Sequence, residues 1–431
     1  MTSQTQGAEQ GSHPLSTFRK YLCLDLLLWI YLGCWNTTLP LIIVQQGSLL
    51  ELAAYEIALA LAAIISMLCL APRVESMRRS TALKVGCFAI LMASVLRYFF
   101  AANWYSLDAL ILIDVIAASA FGMIQPLLGI YPAETVDTHR ADAAFRVRRI
   151  VVTVGRVAGP LLAGIVITVS SLEISLLFAS IVGLVIVAFA MMLPVSAAPA
   201  LQRRKSSTDL IDDMLLGLKL KCVLPPEQFL TFSGLLLGLA VTATVPMLVP
   251  ALIHAHGLAE GSVGLLNAIF AGGAVAGLFL LSPLITQKKY QRNKYLGCWA
   301  LLTFALCTAT QADEIWQLST CLSFAGAASA CITMVGMDKR VMSIPSGVRV
   351  RLMASTLVIS QLGSTVSFMM TGAIMSQSGA TSLIWLYLGV FLIIVMYSMR
   401  SKKIWHFLED DAESELYYTK NHPKLAAIMT P

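Results

Sequence analysis

The chain has 431 residues, of which 57% are apolar and 13% are charged, and its formal net charge at pH 7 is +6. Soluble domains have about 25% charged residues. This composition therefore excludes an ordinary soluble domain and indicates an integral membrane protein.

Long apolar runs recur along the whole chain. A bilayer core about 30 Å thick requires about 20 apolar residues per helix, since each helical residue adds about 1.5 Å. Runs of that length predict twelve transmembrane helices, at residues 21–45, 53–71, 83–101, 107–131, 148–170, 174–194, 228–253, 262–286, 295–312, 315–337, 352–377 and 380–399. The first run is too long for a cleaved signal peptide, and we expect it to be retained.

Basic residues fall in the two tails and in, or at the edges of, every second gap between these runs, with two exceptions deeper inside runs, Arg97 and Arg156. Lys and Arg in short loops remain on the cytoplasmic side. The pattern predicts a multi-pass protein of the cell's inner membrane with both termini in the cytoplasm. Because the positive net charge follows from this topology, we expect no nucleic-acid partner.

The longest internal gap divides the predicted spans six and six. We therefore expect an all-α membrane protein with two six-helix bundles. The predicted parts are a cytoplasmic tail at 1–20, a first bundle at 21–194, a cytoplasmic loop with a short amphipathic helix at 195–227, a second bundle at 228–399 and an acidic cytoplasmic tail at 400–431.

Three stretches carry a resemblance to a known family. They are Asn36 to Ser48, Asp209 to Lys219, and Val249 to Leu266 followed by Gly272 to Gly277. Over essentially its whole length the chain resembles the major facilitator superfamily of secondary transporters, and it is most similar to the branch of macrolide and siderophore exporters. The resemblance implies two pseudo-symmetric bundles around a central cavity and transport by alternating access.

The fifth predicted span contains Gly155, Gly159, Pro160 and Gly164. Small residues at such spacings let two helices approach closely, and proline removes a backbone donor. The stretch resembles the antiporter signature of the superfamily, with Ala163 in place of one glycine, and this implies export. Close packing of a Gly-rich helix is the simpler alternative.

The loop between the second and third spans departs from the family pattern. Its signature should end in paired arginines, and Arg78 and Arg79 are present. Val74 and Glu75 stand where the signature has Asp-Arg, which puts the usual charge latch between the two halves in doubt.

Charges inside apolar runs are costly, so they indicate partners or function. We expect Asp114 in the fourth span to pair with Arg156 in the fifth. The functional hypothesis is that Asp114 binds a proton while Arg156 and the substrate compete for its carboxylate. A permanent structural ion pair is the alternative.

Three further charges lie towards the ends of spans. We expect Arg97 and Asp108 to form an interfacial pair, with Arg97 reaching towards water. Asp25 is predicted to be a second proton site or a gate residue, or to be solvated from the cytoplasm. The spans of the second half contain no clear internal charge.

Polar and aromatic residues near the middle of the membrane are candidates for a substrate pocket. They are Trp29, Trp35, Asn36, Gln125 and Gln361. Each is also compatible with helix packing alone. We expect no metal site from His254 and His256, because two residues in a loop are too few ligands.

These features predict a proton-coupled antiporter that exports a small amphiphilic molecule, such as an antibiotic, a siderophore or a peptide-like metabolite. The alternatives are a proton-coupled importer and a non-transporting receptor or assembly partner. We expect no enzyme activity and no cofactor, since no nucleophile or nucleotide-binding loop is present and the proton gradient would supply the energy. The expected partners are the substrate and the lipid bilayer, and the expected state is a monomer.

Overall fold

The protein is described here by a computed structural model that covers residues 14–69, 79–135, 141–193, 221–222, 224–281, 290–335, 346–401 and 404–405. Over these ranges the chain is helical, with no strand. The helices are α1 Pro14–Gln46, α2 Leu49–Cys69, α3 Arg79–Asn103, α4 Leu107–Thr135, α5 Ala141–Val169, α6 Leu172–Met191, α7 Pro225–Val241 continued by Thr244–Leu248 and Val249–Ala255, α8 Ser262–Ala276 continued by Gly277–Leu281, α9 Gln291–Ala309, α10 Ile315–Met334, α11 Ser346–Ser378 and α12 Leu383–Arg400. The predicted all-α class is confirmed.

Eleven of these helices are long and apolar enough to cross a membrane. The exception is α9, whose first turn from Gln291 to Lys294 is polar. Trp299 and Leu302 nevertheless bury α9 in the core of the second half. The part of the chain that is described is therefore a multi-pass membrane protein with twelve helices.

Several helices begin before the predicted spans. Helices α1, α5 and α11 begin at Pro14, Ala141 and Ser346, ahead of the predicted starts at 21, 148 and 352. An apolar run marks only the part of a helix that lies in lipid, whereas backbone hydrogen bonding continues through polar turns. The predicted amphipathic helix near 209–219 and the acidic tail from 406 onwards lie outside the described residues.

Each half of the chain has its own apolar core. Helices α1 to α6 form the first bundle, in which α1 is central and packs against α5 and α6. Helices α7 to α12 form the second bundle, around Phe229 and Trp299. Leu24 and Leu28 of α1 are fully buried, so α1 is an interior helix with little surface left for lipid.

The two bundles meet near one end of the molecule. That end carries Gln46, Val169 and Ser378, and we call it the outer end because the charge pattern predicts that it faces out of the cell. Helix α2 packs against α11, and α5 packs against α8. The second helix of each half thus contacts the fifth helix of the other, as a pseudo-two-fold arrangement requires.

Small residues bring the helices of the two bundles into close contact at the outer end. A Cβ added at Gly164 of α5 would lie only 2.9 Å from the Cα of Gly264 in α8. Asn267 donates from Nδ2 to Thr37 Oγ1 at 3.3 Å across the same interface. Gln45 also donates to Glu260. The outer end is therefore closed in this conformation.

Helix α7 changes its hydrogen-bond pattern where it reaches this interface. The segment Thr244–Leu248 is π-helical, and Leu248 N donates to Ala243 O, five residues back, at 3.2 Å. Pro246 in this segment has no N–H to donate, and a π-turn absorbs such a gap. Met247 of the same segment packs into the core of the first bundle, so the irregular turn contributes to the closure.

Candidate functional site

A buried ion pair lies between α3 and α4 of the first bundle. Arg97 donates from Nε to Asp114 Oδ1 at 2.8 Å, and its Nη2 donates to the same oxygen. The exposed fraction is 1% for Arg97 and 0% for Asp114. Since neither group reaches water, each charge depends on the other for its stabilisation.

Three aromatic residues from α1 and α2 enclose this pair. Tyr55 donates its hydroxyl to Asp114 Oδ2 at 2.6 Å, and Trp35 Nε1 donates to the Tyr55 oxygen at 2.9 Å. Arg97 donates from Nη1 to the Tyr31 hydroxyl at 3.1 Å. Its Cζ also lies 4.5 Å from the centroid of the Trp35 ring, within range of a cation–π interaction. The network links α1, α2, α3 and α4.

This arrangement corrects two predictions. Asp114 pairs with Arg97 and not with Arg156, because α4 packs mainly against α2 and α3. Arg97 is not interfacial, and Asp108 is exposed in the first turn of α4. Trp35 is 4% exposed and belongs to the enclosure of the ion pair, and its assignment to a substrate pocket stays a prediction.

A second ion pair joins α1 to α5 nearer the inner end, opposite to the outer one. Arg148 donates from Nε to Asp25 Oδ2 at 2.8 Å, and the Tyr21 hydroxyl lies 3.3 Å from the same oxygen. Asp25 is fully buried, so the alternative of solvation from the cytoplasm is wrong. Its other oxygen, Oδ1, has no hydrogen-bond partner in the described part of the chain.

Arg156 lies near the middle of α5, about 20 Å from the outer end of that helix at 1.5 Å per residue. Its Cζ is 4.1 Å from the centroid of the Trp29 ring, and part of the side chain is exposed. Asp25 is close enough to attract it electrostatically but is already bonded to Arg148. Within the described ranges Arg156 makes no hydrogen bond or ion pair.

The neighbours of α5 show where Arg156 points. Gly155 and Gly159 face α1, while Gly164 faces α8 of the other bundle. Exposed Ile165 lies on the far side of the helix. On a helix of 3.6 residues per turn, Arg156 projects between the α1 and α8 sides. Its exposed surface therefore faces the space between the bundles and not the lipid.

Glu56 in α2 is a membrane-embedded acid that the sequence reasoning missed. Tyr55 faces α4, Ala53 faces Gly372 of α11, and exposed Ile65 lies on the lipid side. Glu56 projects between the α4 and α11 sides. It is partly exposed, and among the residues described it has no hydrogen bond or ion pair. It thus faces the same space as Arg156, about 10 Å from the outer end of α2.

The signal for Glu56 was available in the sequence. It is a single carboxyl in the otherwise apolar run from Ala53 to Leu68, and such a charge is a functional candidate by default. In the second half, Glu227 at the start of α7 pairs with Lys221, and both are buried. This pair lies just before the predicted span at 228–253, so the expectation that the spans of the second half contain no internal charge stays a prediction.

The glycines of the fifth span act as contact points in two directions. A Cβ at Gly159 would lie 2.6 Å from Ile30 O and 2.9 Å from the Cα of Gly33 in α1. A Cβ at Gly155 would lie 2.7 Å from the Cβ of Trp29. The predicted close helix approach is confirmed, and Pro160 lies inside α5. An antiport role for this motif remains a prediction.

The other predicted site residues are scattered. Asn36 is exposed and lies two turns above Trp29 on the same side of α1. Gln125 and Gln361 are partly exposed, and no described contact joins them to Arg156 or Glu56. Arg78 lies outside the described residues, and Arg79 begins α3. No metal-binding cluster of His, Cys, Asp or Glu occurs in the described ranges.

The second half of the chain matches a known family in sequence. A model of the Major Facilitator Superfamily matches residues 230–416, which is less than half of the chain. No curated protein matches the chain significantly. The match leaves out the first bundle, where the embedded charges described above lie.

Solved structures match the fold over almost the whole chain. A mutant of the nucleoside transporter NupG is 16% identical, with a TM-score of 0.70 over 90% of this chain and 100% of that one. A D-xylose-proton symporter is 14% identical, with a TM-score of 0.65 over 91% and 98%. A bacterial homologue of the iron transporter ferroportin in an inward-facing state is 15% identical, with a TM-score of 0.69 over 91% and 99%. At these identities the likeness shows the major facilitator fold and leaves the substrate open.

Proposed function

We propose that this chain is a secondary transporter that exports a small amphiphilic molecule in exchange for protons by alternating access. The fold supports transport, because two bundles that touch at one end can rock about the space between them. The observation that carries proton coupling is Glu56, a carboxyl in a membrane-spanning helix that faces this space unpartnered among the described residues.

Glu56 can hold a proton or a cation but is poorly placed to stay charged alone. A lone charge at the centre of a membrane helix costs about 3 kcal/mol on insertion scales. A cationic group of the substrate would stabilise the carboxylate and displace its proton to water. Departure of the substrate on the other side would let a proton bind again. Alternate occupation of one carboxyl by proton and substrate is antiport.

Asp114 has a different role in this proposal. Its Oδ1 is held by Arg97 and its Oδ2 by Tyr55, so a proton or a substrate could reach it only after the network had opened. We assign the pair a structural role, holding α3 and α4 together while the bundles move. Arg156 and the substrate therefore do not compete for the Asp114 carboxylate in this proposal.

Export is favoured over import by the stretch from Gly155 to Gly164, which resembles an antiporter signature. The rival is a symporter with the same fold, and the D-xylose-proton symporter shows that this fold serves such proteins. The proton gradient lowers the accumulation of the substrate in cells if the protein is an exporter and raises it if the protein is a symporter.

The test is expression of the chain in cells lacking their main exporters, followed by accumulation assays with a panel of amphiphilic compounds. We expect lower accumulation of at least one compound, and an uncoupler should abolish the effect. Glu56→Gln should remove gradient-driven export, whereas Glu173→Gln, at an exposed acid of the outer end, should not.

Two results would overturn the proposal. Increased accumulation that depends on the gradient would indicate an importer. No flux of any panel compound in proteoliposomes with an imposed pH gradient would indicate a receptor or an assembly partner.

A further inference from the structure

Some of the membrane-embedded charged residues of the first bundle form ion pairs, and others have no partner. Arg97 is bonded to Asp114, and Arg148 is bonded to Asp25. Lys84 and Arg149 lie near the inner ends of their helices. Deeper in the membrane Glu56 and Arg156 are left, one of each sign, and within the described ranges neither has an ion-pair partner. Unpaired embedded charges are costly, so a fold that keeps two of them facing one space has a use for both.

The two charges lie at different depths. Arg156 is about 20 Å from the outer end of its helix and Glu56 about 10 Å from the outer end of its own. If the outer ends of the two helices are level, the two groups are separated by about 10 Å along the membrane normal. That separation is too large for a direct ion pair but suits a small molecule placed between them.

The surroundings of Arg156 suit recognition of a carboxylate. The guanidinium Cζ lies over the Trp29 ring, 4.1 Å from its centroid, and within the described ranges the guanidinium N–H groups donate to no hydrogen bond. A planar guanidinium binds a carboxylate through two parallel hydrogen bonds. The Trp29 ring, packed edge-on against Phe121 at 6.0 Å between centroids, offers an apolar wall beside it.

We propose that the transported molecule is a zwitterion, whose carboxylate binds Arg156 and whose ammonium group binds Glu56. This inference rests on the proposed function and names its substrate class. When the ammonium group arrives, the proton of the neutral Glu56 carboxyl passes to water in the space between the bundles, and the carboxylate and ammonium form an ion pair. One proton is released for each zwitterion bound, as antiport requires.

The first experiment measures binding to the purified protein by isothermal titration calorimetry. The probes are three forms of phenylalanyl-phenylalanine that share one apolar body: the free dipeptide, its N-acetyl derivative and its C-terminal amide. We expect the free dipeptide to bind at least about tenfold more tightly than either derivative, because a hydrogen bond to a charged group is worth about 1.5–3 kcal/mol.

Substitutions of Arg156 and Glu56 test which residue binds the carboxylate of the ligand and which binds its ammonium group. Arg156→Gln should remove the advantage of a free carboxylate over the amide, and Arg156→Lys should restore part of it. Glu56→Gln should remove the advantage of a free amine over the acetyl form and abolish proton release on binding. The matched control is Arg149→Gln, which removes the same charge two turns away on α5, from an exposed side chain.

A local probe separates attraction by Arg156 from changes elsewhere. Iodide is an anionic quencher of tryptophan fluorescence, caesium a cationic one and acrylamide a neutral one. The Trp29 signal is the difference between the wild type and Trp29→Phe. We expect iodide to quench Trp29 more than caesium does, and Arg156→Gln to remove this excess without altering quenching by neutral acrylamide.

Failure of this inference can be distinguished from failure of the proposed function. Equal binding of the three dipeptide forms, or no binding of any, would overturn the zwitterion site, while proton-driven export of other compounds would leave the transporter proposal standing. Conversely, charge-selective binding without proton release would retain the site and reject the coupling.

Discussion

Both carboxylate oxygens of Asp114 are occupied within the first bundle, Oδ1 by Arg97 and Oδ2 by the hydroxyl of Tyr55. The pair has no contact with water, and it joins helices that are not adjacent to the other bundle. A buried pair of this kind contributes little net stability over an apolar pair but is costly to break. Replacing one partner of the pair is therefore expected to lower stability more than replacing both.

Loss of one partner should destabilise the protein more than loss of both. We expect Arg97→Met or Asp114→Leu to lower the free energy of unfolding by about 3–5 kcal/mol, because each leaves an uncompensated buried charge. The double variant should lie closer to the wild type than either single variant does. Thermal unfolding in detergent, followed by the reaction of the buried thiols Cys34 and Cys87 with a maleimide dye, measures this. Single variants as stable as the wild type would show that the pair opens readily.

The two tyrosines of the enclosure should differ in their importance. Tyr55 both donates to Asp114 at 2.6 Å and accepts from Trp35 at 2.9 Å, whereas Tyr31 accepts one bond from Arg97 at 3.1 Å. Since each unsatisfied buried polar group costs about 1–3 kcal/mol, Tyr55→Phe should cost more than Tyr31→Phe. The same thiol-reactivity assay compares them, and equal losses would argue against this division.

Packing between α1 and α5 depends on the absence of a side chain at Gly159. The added methyl of Gly159→Ala would overlap Ile30 O and the Cα of Gly33. Overpacking of this kind costs about 1–3 kcal/mol, so a lower midpoint of thermal unfolding is expected. Gly234→Ala in α7 is the control, since nothing lies within 4 Å of its added Cβ. An unchanged midpoint for Gly159→Ala would mean that α1 can move aside.

The sequence was sufficient for the helices and the bundles but not for the partners of the charges. Apolar length and the side on which basic residues lie are local properties, and they predicted twelve helices in two bundles. From the sequence, only the similar depths of Asp114 and Arg156 in the membrane predict that they pair. Depth does not determine which helices are neighbours, and α5 packs on α1 and α8 while α4 packs mainly on α2 and α3.

The direction in which a side chain projects from its helix could not be predicted from the sequence either. Whether Glu56 faces lipid, a neighbour or the central space depends on which residues of α2 contact α4 and α11, and that becomes known only when Tyr55 and Ala53 are placed. The same holds for Arg156, whose direction is known only because Gly159 faces α1 and Gly164 faces α8. The glycine motif was recognised from its spacing, but its division between α1 and α8 required the packing.

Closure of the outer end should depend on Gly264. A Cβ at this position would overlap Gly164 and the backbone oxygen of Pro160, so Gly264→Ala should separate α5 from α8 and disfavour the closed state. We expect a loss of transport of about tenfold or more, because a shift of 1.4 kcal/mol in a conformational equilibrium changes its constant tenfold. Gly272→Ala on the same helix is the control, since its added Cβ meets nothing within 4 Å.

The distance between the bundles at the outer end provides the direct measurement for Gly264→Ala. Glu173 at the start of α6 and Asp313 before α10 are both exposed, and they lie on different bundles. Spin labels at cysteines introduced there, in a background whose exposed Cys23 and Cys222 are replaced by serine, report this distance. Gly264→Ala should shift the distribution to longer distances, and Gly272→Ala should leave it unchanged. If Gly264→Ala impaired transport without lengthening the distance, the glycine would act within α8 and not through closure of the two bundles.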